Sequence, residues 1–113
     1  MPTKLFDLSG RVALITGGSK GLGKAMARGL AEAGADIVIA SRNQGELEAA
    51  LHEIRAGLAV RGAYLVADMA CRDDVTRLAD FALQEMGHVD ILINNAGSNN
   101  PQSIENIADA DWD

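Results

Sequence analysis

Val12-Ala-Leu-Ile-Thr-Gly-Gly-Ser-Lys-Gly-Leu-Gly23 decides how this 113-residue chain is read. Val12 to Ile15 is an apolar run of the kind a buried strand shows. Four glycines follow within Gly17–Gly23, and then a helix-like segment from Lys24 to Glu32. A strand, a glycine turn and a helix N-terminus form a cradle for phosphate. Glycine lets backbone N–H groups approach an anion closely, and the helix dipole favours negative charge there.

Working outward, strand and helix signals alternate. Strands are predicted over Val12–Thr16, Asp36–Ser41, Ala63–Ala67 and Val89–Asn94. Helices are predicted over Gly21–Ala33, Asn43–Gly57 and Asp73–Met86, with Gly34 and Gly87 as stops. Leu47, Ala50, Leu51 and Ile54 fall at i, i+3, i+4 and i+7, one apolar stripe. The alternation implies an α/β fold whose parallel sheet carries crossover helices. Near-continuous apolar strands fit a sheet covered on both faces.

Composition narrows the function classes. Hydrophobic residues are 48% of the chain, enough for a core, and the length fits one domain. The net charge of −6 and the absence of a basic face argue against a nucleic-acid partner. Lys20, Lys24 and Arg28 form a basic trio expected near the phosphate. Cys71 is the single cysteine, so no internal disulfide forms; it reads as a small buried or half-buried thiol. His52 and His88 are isolated and read as surface residues, not a metal site. The N-terminus has no signal-peptide pattern and no run approaches membrane-spanning length, so a soluble, cytoplasmic protein is expected.

Three phosphate-loop templates compete for the glycine turn. G-x-G-x-x-G fails, because Gly21-Leu-Gly23 continues into Lys24, Ala25 and Met26. The Walker template nearly fits from Gly18 to Lys24, but Ala25 replaces the hydroxyl that would hold Mg²⁺. T-G-x-x-x-G-x-G fits fully over Thr16–Gly23. With Asn94-Asn-Ala-Gly97 at the end of the fourth strand, the chain resembles the short-chain dehydrogenase/reductase family.

The resemblance implies a Rossmann-type, doubly wound parallel sheet in spatial order 3-2-1-4, with a dinucleotide across the carboxyl ends of its strands. It implies cofactor contacts from Gly17, Gly18, Ser19, Lys20, Gly21, Leu22 and Gly23 in the loop. It adds Asn95, Ala96 and Gly97 beside the ribose, and Asp68 with the Met69 N–H at the adenine. At the end of the second strand, where NAD-binding folds place an acid, the chain reads Ser41-Arg42. Arg42 and Lys20 suit a 2′-phosphate, so NADP(H) is favoured over NAD(H). Lys24 is read as solvated.

The family's reaction is hydride transfer between nicotinamide and a carbonyl or alcohol carbon, with a Tyr-x-x-x-Lys pair, a Ser and an Asn. No catalytic residue is assigned here. Tyr64 is the only tyrosine, and Asp68 stands where the lysine would be, so Tyr64 reads as a packed strand aromatic. The resemblance therefore covers residues 1–113 as the N-terminal, cofactor-binding part of a single domain. The catalytic Ser, Tyr and Lys are expected beyond Asp113, and the Asn in a helix opening near Asp109. On that reading the isolated segment is inactive and its parent enzyme a homo-oligomer. The alternative is a non-catalytic nucleotide-binding module ending naturally at Asp113. The opening from Leu5 to Thr16 looks like the family's sugar-acid dehydrogenases and oxoacyl-carrier reductases. The loop Ser98–Gln102 is expected near the substrate cleft.

Overall fold

The computed structural model describes residues 7–95. The order is β1 (Val12–Thr16), α1 (Gly21–Glu32), β2 (Asp36–Ser41), α2 (Gln44–Arg55), β3 (Gly62–Val66), α3 (Arg72–Met86) and β4 (Ile91–Asn94). The strands form one parallel sheet in order β3-β2-β1-β4, as the resemblance implies. The register pairs Leu14 with Val38 and Leu92, and Ile39 with Tyr64. All four strands consequently end along the same sheet edge.

Alternation along the strands sorts the core into two layers. Ala13, Ile15, Ile37 and Ile39 pack with Ala27 and Ala31 of α1 and Leu47, Ala50 and Ile54 of α2. Val12, Leu14, Val38 and Ala40 pack on the other face with Leu78, Ala82 and Met86 of α3. This two-faced covering explains why β1 is buried along its whole length.

Where element ends differ from the sequence expectation they do so by one or two residues, and several have identifiable reasons. Asn43 stands outside α2 as its N-cap, with Oδ1 accepting from Glu46 N–H at 3.0 Å. At the other end α2 stops at Arg55, and Ala56 leaves the helical region. Arg28 of α1 donates there to the carbonyls of Glu53, Ile54 and Ala56 at 3.2, 3.0 and 2.8 Å. These are terminal carbonyls a longer helix would have used itself. α3 begins at Arg72 with Cys71 as N-cap, so Asp73 is a first-turn residue and not the cap. β4 begins only at Ile91, because the Val12 N–H bonds to Asp90 Oδ2 at 2.8 Å in place of a backbone carbonyl.

Two further expectations are corrected here. Cys71 is exposed, because it sits at the surface entry of α3. Lys24 is not simply solvated: its Nζ bonds Glu53 Oε1 at 2.8 Å and ties α1 to α2. That bond, with the ammonium charge, holds the Glu53 carboxyl below its ordinary range. His52 and His88 are both exposed, as expected.

Arg28→Ala should destabilise the protein by about 1–3 kcal/mol in urea unfolding, because it strands helix-terminal carbonyls. Lys24→Met should lower stability only slightly at neutral pH, as loss of an exposed pair does. A carboxyl with a depressed folded value contributes stability above its unfolded value and loses it as pH falls through the folded one. The gap between wild type and Lys24→Met should therefore close as the pH falls from the ordinary glutamate range through the lowered value of Glu53. A gap that persists undiminished at the acid end would contradict the role of this pair.

Candidate functional site

The carboxyl edge of the sheet is organised by the turn out of β1. Gly17 adopts φ +69° and donates its N–H to Ala40 O at 2.8 Å, which holds the turn against β2. The chain then folds back so closely that a Cβ on Gly23 would collide with the Gly17 carbonyl and lie 2.8 Å from Asn95 Nδ2. A Cβ on Gly18 would meet Ile39 Cγ2 at 2.7 Å. Only glycine allows this approach, and the approach aims α1 across the edge of the sheet.

β4 is stitched to the same turn. Thr16 Oγ1 donates to Asn94 Oδ1 at 2.7 Å and accepts from Asn95 N–H at 3.1 Å. Asn95 Nδ2 reaches Gly17 O at 3.5 Å. Asn94 is 9% exposed, and its Nδ2 has no hydrogen-bond partner among the described residues. The sequence motifs around Gly17 and Asn95, 78 residues apart, thus meet at one point.

The N-terminus of α1 differs from those of the other two described helices. Its N-cap, Lys20, is extended and supplies no side-chain cap, and no acid stands in the first turn. α2 has the Asn43 cap and Glu46; α3 has Asp73 and Asp74. The first-turn donors of α1 are left without a protein anion, the condition that suits a phosphate. Around Gly21, at φ +60°, a Cβ would find nothing within 4 Å, and the Leu22 side chain is exposed. The donor set and the open space fit a dinucleotide's pyrophosphate.

Beside the turn lies the end of β2. Ser41 Oγ accepts from Asn43 N–H at 3.4 Å, and Arg42 is exposed with no hydrogen bond or ion pair among the described residues. Ser19 is buried beneath the loop and donates to Glu46 Oε1 at 3.4 Å. Lys20 Nζ lies 3.9 Å from Glu46 Oε2. Of the basic trio, only Lys20 belongs to this locale. Lys24 and Arg28 point from α1 toward the far end of α2, where Glu53 and the terminal carbonyls hold them.

The end of β3 completes the edge. Ala67 N–H donates to Ser41 O at 2.8 Å. Asp68 N–H donates to Asp74 Oδ2 at 2.7 Å, and Asp68 Oδ1 accepts from Ala70 N–H at 2.9 Å. Met69 is half-buried against the second core layer, and its N–H has no partner among the described residues. The Asp68 N–H, followed by Arg77, holds the Asp74 carboxyl below its ordinary range, so Asp74 is a charged brace for this loop.

Gly17–Gly23, Ser41, Arg42, Asp68, Met69 and Asn95 thus all lie along one edge of the sheet. Ala96, Gly97, the Ser98–Gln102 loop and the segment opening near Asp109 lie outside the described residues. Tyr64 is half-buried on the α2 side, and its hydroxyl donates to Glu48 Oε2 at 2.8 Å. That carboxylate pushes the phenol upward, the reverse of what an acid/base tyrosine needs. Sequence reasoning did not single out Glu46, Asp74 as a brace, or the Thr16 side chain as a clasp. Only Glu46 had a local signal, the Asn43-x-x-Glu46 spacing of a capping box. Among the described residues no cluster of His, Cys, Asp or Glu suits a metal, and no helix is long and apolar enough to cross a membrane.

The sequence matches the family model of the short chain dehydrogenases over residues 11–113. It is 42% identical over 108 residues to 2-dehydro-3-deoxy-D-gluconate 5-dehydrogenase of Escherichia coli, covering 96% of this chain and 42% of that protein. The fold matches L-sorbose reductase from Gluconobacter frateurii, crystallised with NADPH and L-sorbose, at TM-score 0.78 and 37% identity. That match covers 81% of this chain and 35% of the reductase. NAD⁺-bound xylitol dehydrogenase matches at TM-score 0.76 and 33% identity, over 80% of this chain and 34% of the enzyme. The chain thus spans about two fifths of the length of the curated relatives it matches. A glycine turn that exposes an uncapped helix N-terminus, clasped by the Asn pair of β4, is the structural form of that match, and the chain belongs to the short-chain dehydrogenase/reductase family.

Proposed function

We propose that this chain is the NADP(H)-binding part of an oxidoreductase that moves hydride between the nicotinamide and a carbonyl or alcohol carbon of a sugar-type or 3-oxoacyl substrate. The observation that carries the proposal is the α1 N-terminus, bare of cap and acid, inside a turn only glycine permits. When bound, the dinucleotide supplies the hydride; the residues described here bind and orient it. Gly17–Gly23 offers backbone N–H groups and the helix dipole to the pyrophosphate. Asn95 braces the turn from β4 and faces the ribose. The Met69 N–H and the Asp68 carboxylate suit the adenine edge, held by Asp74.

Preference for NADP(H) rests on charge. At the end of β2, Ser41 and Arg42 present a hydroxyl and an unengaged guanidinium, and no carboxylate occupies either position. A guanidinium gives phosphate a charge-assisted, bidentate bond that a ribose hydroxyl does not match. The NADPH complex of L-sorbose reductase shows that a relative of this fold takes that cofactor, and xylitol dehydrogenase shows NAD⁺ in another. The sugar-acid and sugar names of two relatives support the substrate class. Ala96, Gly97 and the Ser98–Gln102 loop are assigned to the ribose and the substrate cleft on the family resemblance alone. The Ser, Tyr and Lys of the family's chemistry are assigned to a region outside these 113 residues, so this segment alone should show no NADPH turnover.

Cofactor fluorescence titration tests the reading. Arg42→Asp should weaken NADPH by about 10- to 100-fold and change NADH by about 2-fold or less. Unchanged NADPH affinity would refute the charge argument. Gly23→Ala should abolish binding of both cofactors, because the added methyl forces Gly17 and the turn apart. Retained binding would place the dinucleotide elsewhere.

A further inference from the structure

Glu46 is not used as its helix position suggests. Its N–H is satisfied by Asn43 Oδ1 at 3.0 Å, the forward half of a capping box. In the reciprocal half its carboxylate would return to the Asn43 N–H. That N–H instead donates to Ser41 Oγ at 3.4 Å. The carboxylate crosses to the glycine loop, with Oε1 accepting from Ser19 Oγ at 3.4 Å and Oε2 at 3.9 Å from Lys20 Nζ. Ser19 is 7% exposed, so Glu46 takes a hydroxyl that water scarcely reaches. Across the same β2–α2 turn, Arg42 makes no ion pair among the described residues. Of the two cations flanking this turn, one is engaged by a carboxylate and the other is not.

From this geometry we infer that Glu46 is an internal competitor for the 2′-phosphate and sets the ratio of NADPH to NADH affinity. The inference rests on the NADP(H) reading of the site. An anion that takes Lys20 shares the ammonium with the Glu46 carboxylate 3.9 Å away, or displaces it, and in either case lies beside that carboxylate. Their separation stays within the roughly 8 Å over which charges still interact at physiological salt. A cofactor with a 2′-hydroxyl carries no charge there and meets no such repulsion. Glu46 therefore acts selectively against the phosphorylated cofactor, while Arg42 acts for it. The Ser19 contact at 3.4 Å draws the partly exposed Glu46 carboxylate toward the loop, on the Lys20 side.

The test is equilibrium titration of the protein, as expressed from its gene, with NADPH and NADH for wild type, Glu46→Gln, Lys20→Met and the double variant. Glutamine keeps the size and an acceptor for Ser19 but removes the charge. Glu46→Gln should tighten NADPH by about 3- to 10-fold and move NADH by less than about 2-fold. The gain should shrink toward nothing near 1 M salt, and it should be smaller on the Lys20→Met background, where the competition for Lys20 is gone and only the repulsion between carboxylate and phosphate remains. Thermal melts that match wild type confirm that each variant is folded; if Glu46→Gln does not match, Glu46→Ala, which removes the same charge, takes its place in the cycle. Unchanged NADPH affinity overturns the inference. So does weakened NADH, which would mean that Glu46 accepts from a 2′-hydroxyl. Tighter NADH than NADPH in wild type would overturn the cofactor reading of the preceding subsection instead. The response of NADPH to Glu46→Gln would still decide the role of Glu46.

Discussion

The contact between Gly23 and the Gly17 carbonyl is the constraint on which the rest of this structure depends. A buried strand has to become a helix within a few residues, and the helix has to start directly above the strand end. With any side chain at Gly23 the two segments would separate, and α1 would no longer point its N-terminus across the sheet edge. The turn is also held from both sides, by Ala40 of β2 and by Asn95 beyond β4. A cradle built on backbone atoms needs this double support, because backbone dipoles are useful only when their direction is fixed.

The distribution of charge follows from the same geometry. In a chain with net charge −6, most cations are spent on structure. Arg28 terminates α2, Lys24 ties α1 to Glu53, and Arg61 pairs with Asp36 at 2.9 Å at the opposite end of β2. Arg77 braces Asp74 below the β3 loop. Around the glycine turn, among the described residues, stand Lys20, 3.9 Å from Glu46, and Arg42. Acids stand along the same edge, Glu46 beside Lys20 and Asp68, Asp73 and Asp74 at its β3 end, so positive charge there is confined to the stretch around the glycine turn.

Much of this was legible from residues alone. The four strands, their parallel order, the glycine turn and the Asn pair carry strong one-dimensional signals, because apolar runs and glycine spacing report local physics. Helix ends were less legible. The end of α2 depends on a guanidinium from another helix, and the start of β4 depends on the Asp90 carboxylate replacing a ladder carbonyl. Cys71 reads as buried or half-buried because its neighbours are mixed in polarity, and its exposure comes from its place at a helix entry. The basic trio illustrates the same limit: three cations within nine residues looked like one site, yet each step of four residues carries the next cation about 6 Å further along α1, so Lys20 at the N-cap meets Glu46 while Lys24 and Arg28 reach Glu53 and the end of α2.

The strand order follows from the family resemblance; by itself the sequence determined the α/β class, the alternation of strand and helix, and the place of the glycine turn. Those follow from periodicity and from the backbone conformations each residue allows, which are local properties. Tertiary structure decided which side chains share the edge and which are consumed elsewhere. Thr16 became a clasp between β1 and β4, Asp74 a brace under Asp68, and Glu46 a carboxylate set against Lys20. These roles arise only when segments distant in the chain are brought within hydrogen-bond reach, and that distance is set by sheet register and helix packing, which no single stretch of residues encodes.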